Sequence, residues 1–173
     1  KSVLHEPAGI GHFFIFWGFL ILSLGTLETF IRAFAGDFTF EAIVGPGAYA
    51  LFGLMLDLFG LAVLAAIAVG LTRRWFVKPL RLQSDDPGTK RDATLILSWI
   101  TALVLLMWIG RAAEARLAWV HGAREWSAGM RWSFVSQWLV GAFRGRGVQG
   151  LEVIIATSWW LHTLLILGFL AYI

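Results

Sequence analysis

The sequence contains no cysteine among its 173 residues. That excludes disulfides, thiolate metal sites and any iron–sulfur cluster held by cysteines of this chain. Charge is scarce too. Asp, Glu, Lys and Arg make up 14% of the residues, against about 25% in a soluble domain. Apolar residues reach 58%, and mean hydropathy is +0.74. This composition excludes a disordered chain and argues against an ordinary soluble domain. The class that remains is an integral membrane protein. No cleavable signal pattern, internal repeat or low-complexity tract is visible. The chain begins at Lys1 rather than Met and stops at Ile173 inside an apolar run, which predicts a longer protein continuing at both ends.

Crossing the hydrocarbon core takes about 20 predominantly apolar residues. Four stretches qualify, at about 8–34, 47–71, 93–113 and 150–173. The expected fold is therefore an all-α membrane protein, a four-helix transmembrane bundle forming a single domain over 1–173. Trp132 to Phe143 is apolar but too short to span, and reads as an interfacial or re-entrant helix. The formal charge of +3 reads as basic loops at a membrane face rather than as a nucleic-acid site. The segment Arg73 to Arg91 carries Arg73, Arg74, Lys78, Arg81, Lys90 and Arg91, and a turn at Ser84 to Gly88. Ala35 to Pro46 has neither Lys nor Arg. The positive-inside rule then puts the Arg73–Arg91 loop, and both ends of the chain, in the cytoplasm. The multi-pass protein would lie in the inner (cytoplasmic) membrane.

Ionisable residues within spans are costly, so each is a functional candidate. His12 lies early in span one and His162 near the middle of span four. Imidazole is a usual axial ligand of haem iron, and one His on each of two facing helices would hold a single haem. The alternative is a neutral imidazole hydrogen-bonded to another helix. His162 stands eleven residues before Ile173, about 16 Å of helix. His12 matches that depth if span one starts near Lys1. His5 lies seven residues before His12 and shares nearly the same face. It reads as interfacial, with haem ligation or a propionate contact as alternatives. His121 beside Trp119 and Trp126 also reads as interfacial. Glu28 and Asp57 could relay protons to a quinone, or be paired inside the bundle. Arg111 and Glu114 are spaced to pair on one helix face. Arg32 and Arg111 could instead hold haem propionates, and Trp159 and Trp160 could pack on a porphyrin edge or simply in the core. Gly9, Gly11, Gly18, Gly25 and Gly168 leave room for close helices or a flat cofactor.

Two segments carry a resemblance. HEPAGIGHFFIFWGFLILSLGT (His5 to Thr26) and WWLHTLLILGFLAYI (Trp159 to Ile173), with the basic loop between them, resemble the nitrate reductase gamma-like membrane cytochrome b domain. The narrower likeness is to the form placed before, or fused to, heterodisulfide-reductase-like iron–sulfur and cysteine-rich domains in menaquinone-linked oxidoreductases. The resemblance implies a five-helix bundle whose first helix would lie upstream of Lys1. It also implies haem b ligated by His on the helices that are spans one and four here, which are His12 and His162. Di-haem members carry a second His ten residues after the first on the early helix, where this chain has Leu22. If the family register is strict, His12 and His162 belong to different haems. The shorter reading is one haem between them.

These residues and that resemblance lead to one expectation: a haem b membrane subunit of the respiratory chain, with one haem or two. It would pass electrons between membrane menaquinone and an iron–sulfur partner, as an electron-transfer component and not a complete enzyme. His12 and His162 would ligate iron, with His5 a weaker candidate. Arg32, Arg111 and Trp159 would contact the cofactor, and no residue stands out as catalytic. The rival is a haem-free anchor subunit, which predicts that His12 and His162 do not face one another and that polar span residues bond between helices. A small transporter is disfavoured by the absence of repeats and of paired broken spans.

Overall fold

The computed structural model describes residues 7–36, 38–77 and 87–172; the side chains of residues 7–12, 74, 77 and 87–90 lie outside that description. Within a bilayer a backbone must satisfy its own N–H and C=O groups, which a helix does inside one segment. Four long helices form here: α1 (Pro7–Ala35), α2 (Glu41–Thr72), α3 (Pro87–Val120) and, after a short α4 (Phe134–Val140), α5 (Val148–Tyr172). The four long ones are each apolar enough to cross a membrane, and no strand occurs among the described residues. The chain is thus all-helical, as composition and run length imply.

Hydropathy underestimated two helices. α2 starts at Glu41, because the chain bends rather than stops at Gly45 (φ 79°, ψ 165°) and Pro46. Pro46 bars the residue before it from helical geometry, and glycine takes the left-handed region without steric cost. α3 runs on to Val120 through Arg111, Glu114 and Arg116, which are charged but interleaved with the strong helix former Ala. Pro87 and Gly88, expected in a turn, open α3 instead. The remainder of that basic loop, residues 78–86, lies outside the described residues, as does His5.

α1 packs along α2, and α3 along α5. Lipid removes the hydrophobic drive between spans, so small residues that admit close contact matter more. Gly18 faces Val63 and Gly25 faces Leu56 between α1 and α2; Gly60 faces Trp108 between α2 and α3. Trp99 lies over Gly168 at the far end of the α3–α5 pair, where the Tyr172 hydroxyl donates to Asp92 (2.9 Å). Outward-facing Phe16, Phe19, Leu164 and Leu170 are more than half exposed, as lipid-facing side chains would be.

The two helix pairs are joined by the stretch between α3 and α5. It folds back against both α2 and α3, with Val135 against Val63, Val104 and Trp108 and Phe143 beside Ala112. Asp57, fully buried and midway along α2, fixes it. Its carboxyl accepts from Val135 N (2.8 Å), Ser136 N (3.3 Å) and the Ser136 hydroxyl (3.0 Å). A residue of one helix thereby caps the start of another, supplying acceptors that α4 cannot. Beside it, Arg111 donates to the Gly129 carbonyl (2.8 Å) and the Ser133 hydroxyl (3.0 Å). Gly53 lets this segment approach: a Cβ there would collide with the Gly129 carbonyl oxygen.

Two variants test this joint. Asp57→Ala leaves buried donors without acceptors and is expected to cost ~3 kcal/mol, read as a lower unfolding midpoint in detergent. Asp57→Asn keeps an acceptor and should recover part of that loss. Gly53→Ala, which forces backbone apart, should cost about 1–3 kcal/mol. Equal midpoints for Asp57→Ala and wild type would contradict this account.

Candidate functional site

A cavity of about 340 Å³ opens between the two helix pairs. Helical spacing explains why polar groups converge on it, since residues at i, i+3, i+4 and i+7 share a face. Gly25, Glu28, Thr29 and Arg32 line it from α1. Met107, Gly110, Arg111 and Glu114 line it from α3, and Ile155, Ser158, Trp159 and His162 from α5. Tyr49 on α2 and Gly129 of the folded-back segment complete it. His162, Arg32, Arg111 and Trp159, four of the residues expected around a cofactor, therefore meet in one place.

His162 Nε2 lies 3.2 Å from the Thr26 hydroxyl on α1. Its Nδ1 is buried without a hydrogen-bond partner, next to the Leu103 backbone of α3. Trp159 packs edge-on against Phe30 (centroids 6.2 Å) and Trp160 (4.8 Å). Arg32 pairs with Glu114 across α1 and α3 at 3.2 Å, with both side chains over 40% exposed. The expected Arg111–Glu114 pair on α3 is thus replaced. Glu114 faces α1, while Arg111 turns to Gly129 and Ser133, leaving its buried Nε without a partner.

Glu28 is buried at 6% exposure. Its Oε1 accepts from Phe40 N at 2.7 Å, the residue at the N-cap of α2, and Tyr49 lies beside it. Glu28 and Asp57 therefore each meet the start of another helix. His121 is exposed in the turn after α3, which follows Trp119, whose ring is tilted against Trp126 (centroids 4.4 Å).

His12 is the residue that the structure separates from the rest. It sits in the second turn of α1, and its side chain lies outside the description. Thr26, which touches His162, is fourteen residues further along the same unbroken helix. At 1.5 Å per residue that is about 21 Å. Two imidazoles on one iron must stand at one level, so a single haem shared by His12 and His162 does not fit. His162 by itself does fit as a ligand. It is an imidazole in a cavity, with one ring nitrogen met only by a hydroxyl and guanidinium groups of Arg32 and Arg111 nearby. Thr26, Tyr49 and Glu114 were not singled out from the sequence as cavity residues. For Thr26 the signal was available, as a hydroxyl within an apolar run.

No family model matches this chain, and no solved structure matches it. Over all 173 residues it is 27% identical to a curated protein of Bacillus subtilis (strain 168) called "Probable iron-sulfur-binding oxidoreductase FadF". The chain spans 22% of that relative's length.

The two carboxylates predict different costs. Glu28→Ala removes the acceptor for a part-buried backbone N–H and should lower stability by about 1–3 kcal/mol. Glu114→Ala breaks an exposed ion pair and should cost less than about 1 kcal/mol. Thermal unfolding in one detergent compares them, and the reverse order would contradict the geometry.

Proposed function

We propose that this chain is the haem b membrane part of a quinone-linked oxidoreductase, passing electrons between membrane menaquinone and an iron–sulfur redox partner. The observation that carries this reading is the convergence of His162, Arg32, Arg111 and Trp159 on one cavity among four apolar helices. Similarity along the whole chain to a protein named as an iron–sulfur-binding oxidoreductase supports it. With no cysteine here, thiolate cluster ligands come from elsewhere, in a partner or a further domain.

In this reading His162 would hold the haem iron through its imidazole, and Arg32 and Arg111 would hold the propionates. His12 serves a second haem site about 21 Å away along α1, consistent with the reading in which the two histidines belong to different haems. When bound, haem supplies one-electron transfer at iron. Around it the chain orients and excludes water. The His162 ring stands beside Thr26 of α1, whose hydroxyl would give up Nε2 to the iron. Arg111 is held by Gly129 and Ser133 and closes one wall. Glu28, with Thr39 and Glu41 also lining the cavity, would take a proton from a quinol and pass it toward the α1–α2 connection. The basic segment near Arg73 and Arg91, the helix ends beside it and the iron–sulfur partner face the cytoplasm.

One observation favours the haem-free anchor. The Thr26–His162 hydrogen bond satisfies an imidazole between helices, as that reading expects. The deciding experiment takes the full-length protein, records a reduced-minus-oxidised spectrum, and then adds a menaquinol analogue in place of dithionite. A b-type absorbance that appears with both reductants is expected. A folded protein without the absorbance would leave the anchor. An absorbance that dithionite elicits and quinol does not would remove the quinone.

A further inference from the structure

The stretch between α3 and α5 has an outer side that the preceding reading does not use. On α4, Val135, Ser136, Leu139 and Val140 turn inward to the core and to Asp57. Phe134 and Trp138, one helical turn apart, turn outward, and Trp138 is 79% exposed. So apolar a side chain on the free face of a seven-residue helix needs a cover. Trp132 in the preceding turn is also exposed.

Arginines flank this stripe on both sides. Arg131 precedes α4, and Arg144 and Arg146 follow it, all exposed. Among the described residues the one guanidinium–carboxylate pair is Arg32–Glu114, so these three arginines have no acidic partner. From His121 to Gly147 there are four arginines, counting Arg124, and one acidic residue, Glu125. The face is thus an aromatic stripe bounded by uncompensated positive charge.

Depth selects the occupant. α4 begins at the level of Asp57, midway along α2. A water-soluble partner does not reach so far down a membrane-spanning helix, whereas acyl chains surround it. We infer that this face binds anionic phospholipid, with Phe134 and Trp138 against the acyl chains and Arg131, Arg144 and Arg146 holding the head-group phosphate. Aromatic side chains against acyl chains, with long basic side chains reaching toward the head groups, are the chemistry that recognises such lipid.

These 173 residues hold no cysteine, and labelling of any thiol elsewhere in the full-length protein is subtracted with the unsubstituted protein. The full-length protein with Trp138→Cys as the single added thiol is spin-labelled in nanodiscs of phosphatidylcholine and phosphatidylglycerol. The label is expected to be relaxed by oxygen and shielded from a water-soluble nickel chelate. Relaxation by the chelate would overturn the proposal, and so would shielding from both agents, which would mean that protein covers the face. Spin-labelled phosphatidylglycerol then reports lipid preference. Replacing Arg131, Arg144 and Arg146 with Gln should lower the preference for phosphatidylglycerol over phosphatidylcholine by roughly fivefold for each arginine at low salt, since each arginine near an anionic surface contributes about 1 kcal/mol. Elution as a folded species checks the variant, and Arg32→Gln, which leaves this face intact, is the control. An unchanged preference in the triple variant, or an equal loss in Arg32→Gln, overturns the assignment. Neither readout depends on haem or quinone, so this proposal and the electron-transfer reading fail separately.

Discussion

Asp57 accepts three hydrogen bonds from the beginning of α4 on the buried face of α2. A backbone that folds back among spanning helices exposes N–H groups that no water can satisfy, and each costs several kcal/mol if left alone. The carboxyl at Asp57 removes that cost, Gly53 gives the returning chain room, and Arg111 secures the turn before it. Without this joint the α1–α2 and α3–α5 pairs would share the contacts of α2 with α3 and those that α1 makes through Thr26, Phe30 and Arg32.

The cavity follows from the joint. Holding the 128–140 stretch against α2 and α3 gives the cavity a wall on the side of Gly129 and Met130. Glu28 repeats the device at the opposite corner, where its carboxyl meets the start of α2 through Phe40. Polar groups that serve structure thus surround the groups suited to a cofactor, His162 above all.

The four spans were legible because length and apolar content decide membrane crossing almost alone. Their ends were less so. Gly45–Pro46 bends α2 without ending it, and the charged turns of α3 remain helical, neither of which a hydropathy window registers. The convergence of Arg32, Arg111, Trp159 and His162 was partly legible, since each is polar or aromatic within an apolar run. Their partners were not. Glu114 faces Arg32 rather than Arg111 because helix packing places α1 beside it, and no spacing rule within α3 contains that fact. The level of His12 against His162 depended on how far α1 slides along α5. Sequence left this open, and the Thr26 contact sets it. Asp57 was noticed as a costly residue, yet its partner lies 78 residues away in a segment whose fold depends on it.

The central claim is that His162 and His12 serve separate sites at different depths. Haem content per protein, by pyridine haemochrome on the full-length wild type, His162→Ala and His12→Ala, tests it most directly. The account predicts that each variant loses part of the haem and retains the rest, with distinct residual spectra. Loss of all haem from both variants would mean one shared haem and contradict the helix geometry, and a folded wild type without haem would contradict the cofactor reading itself.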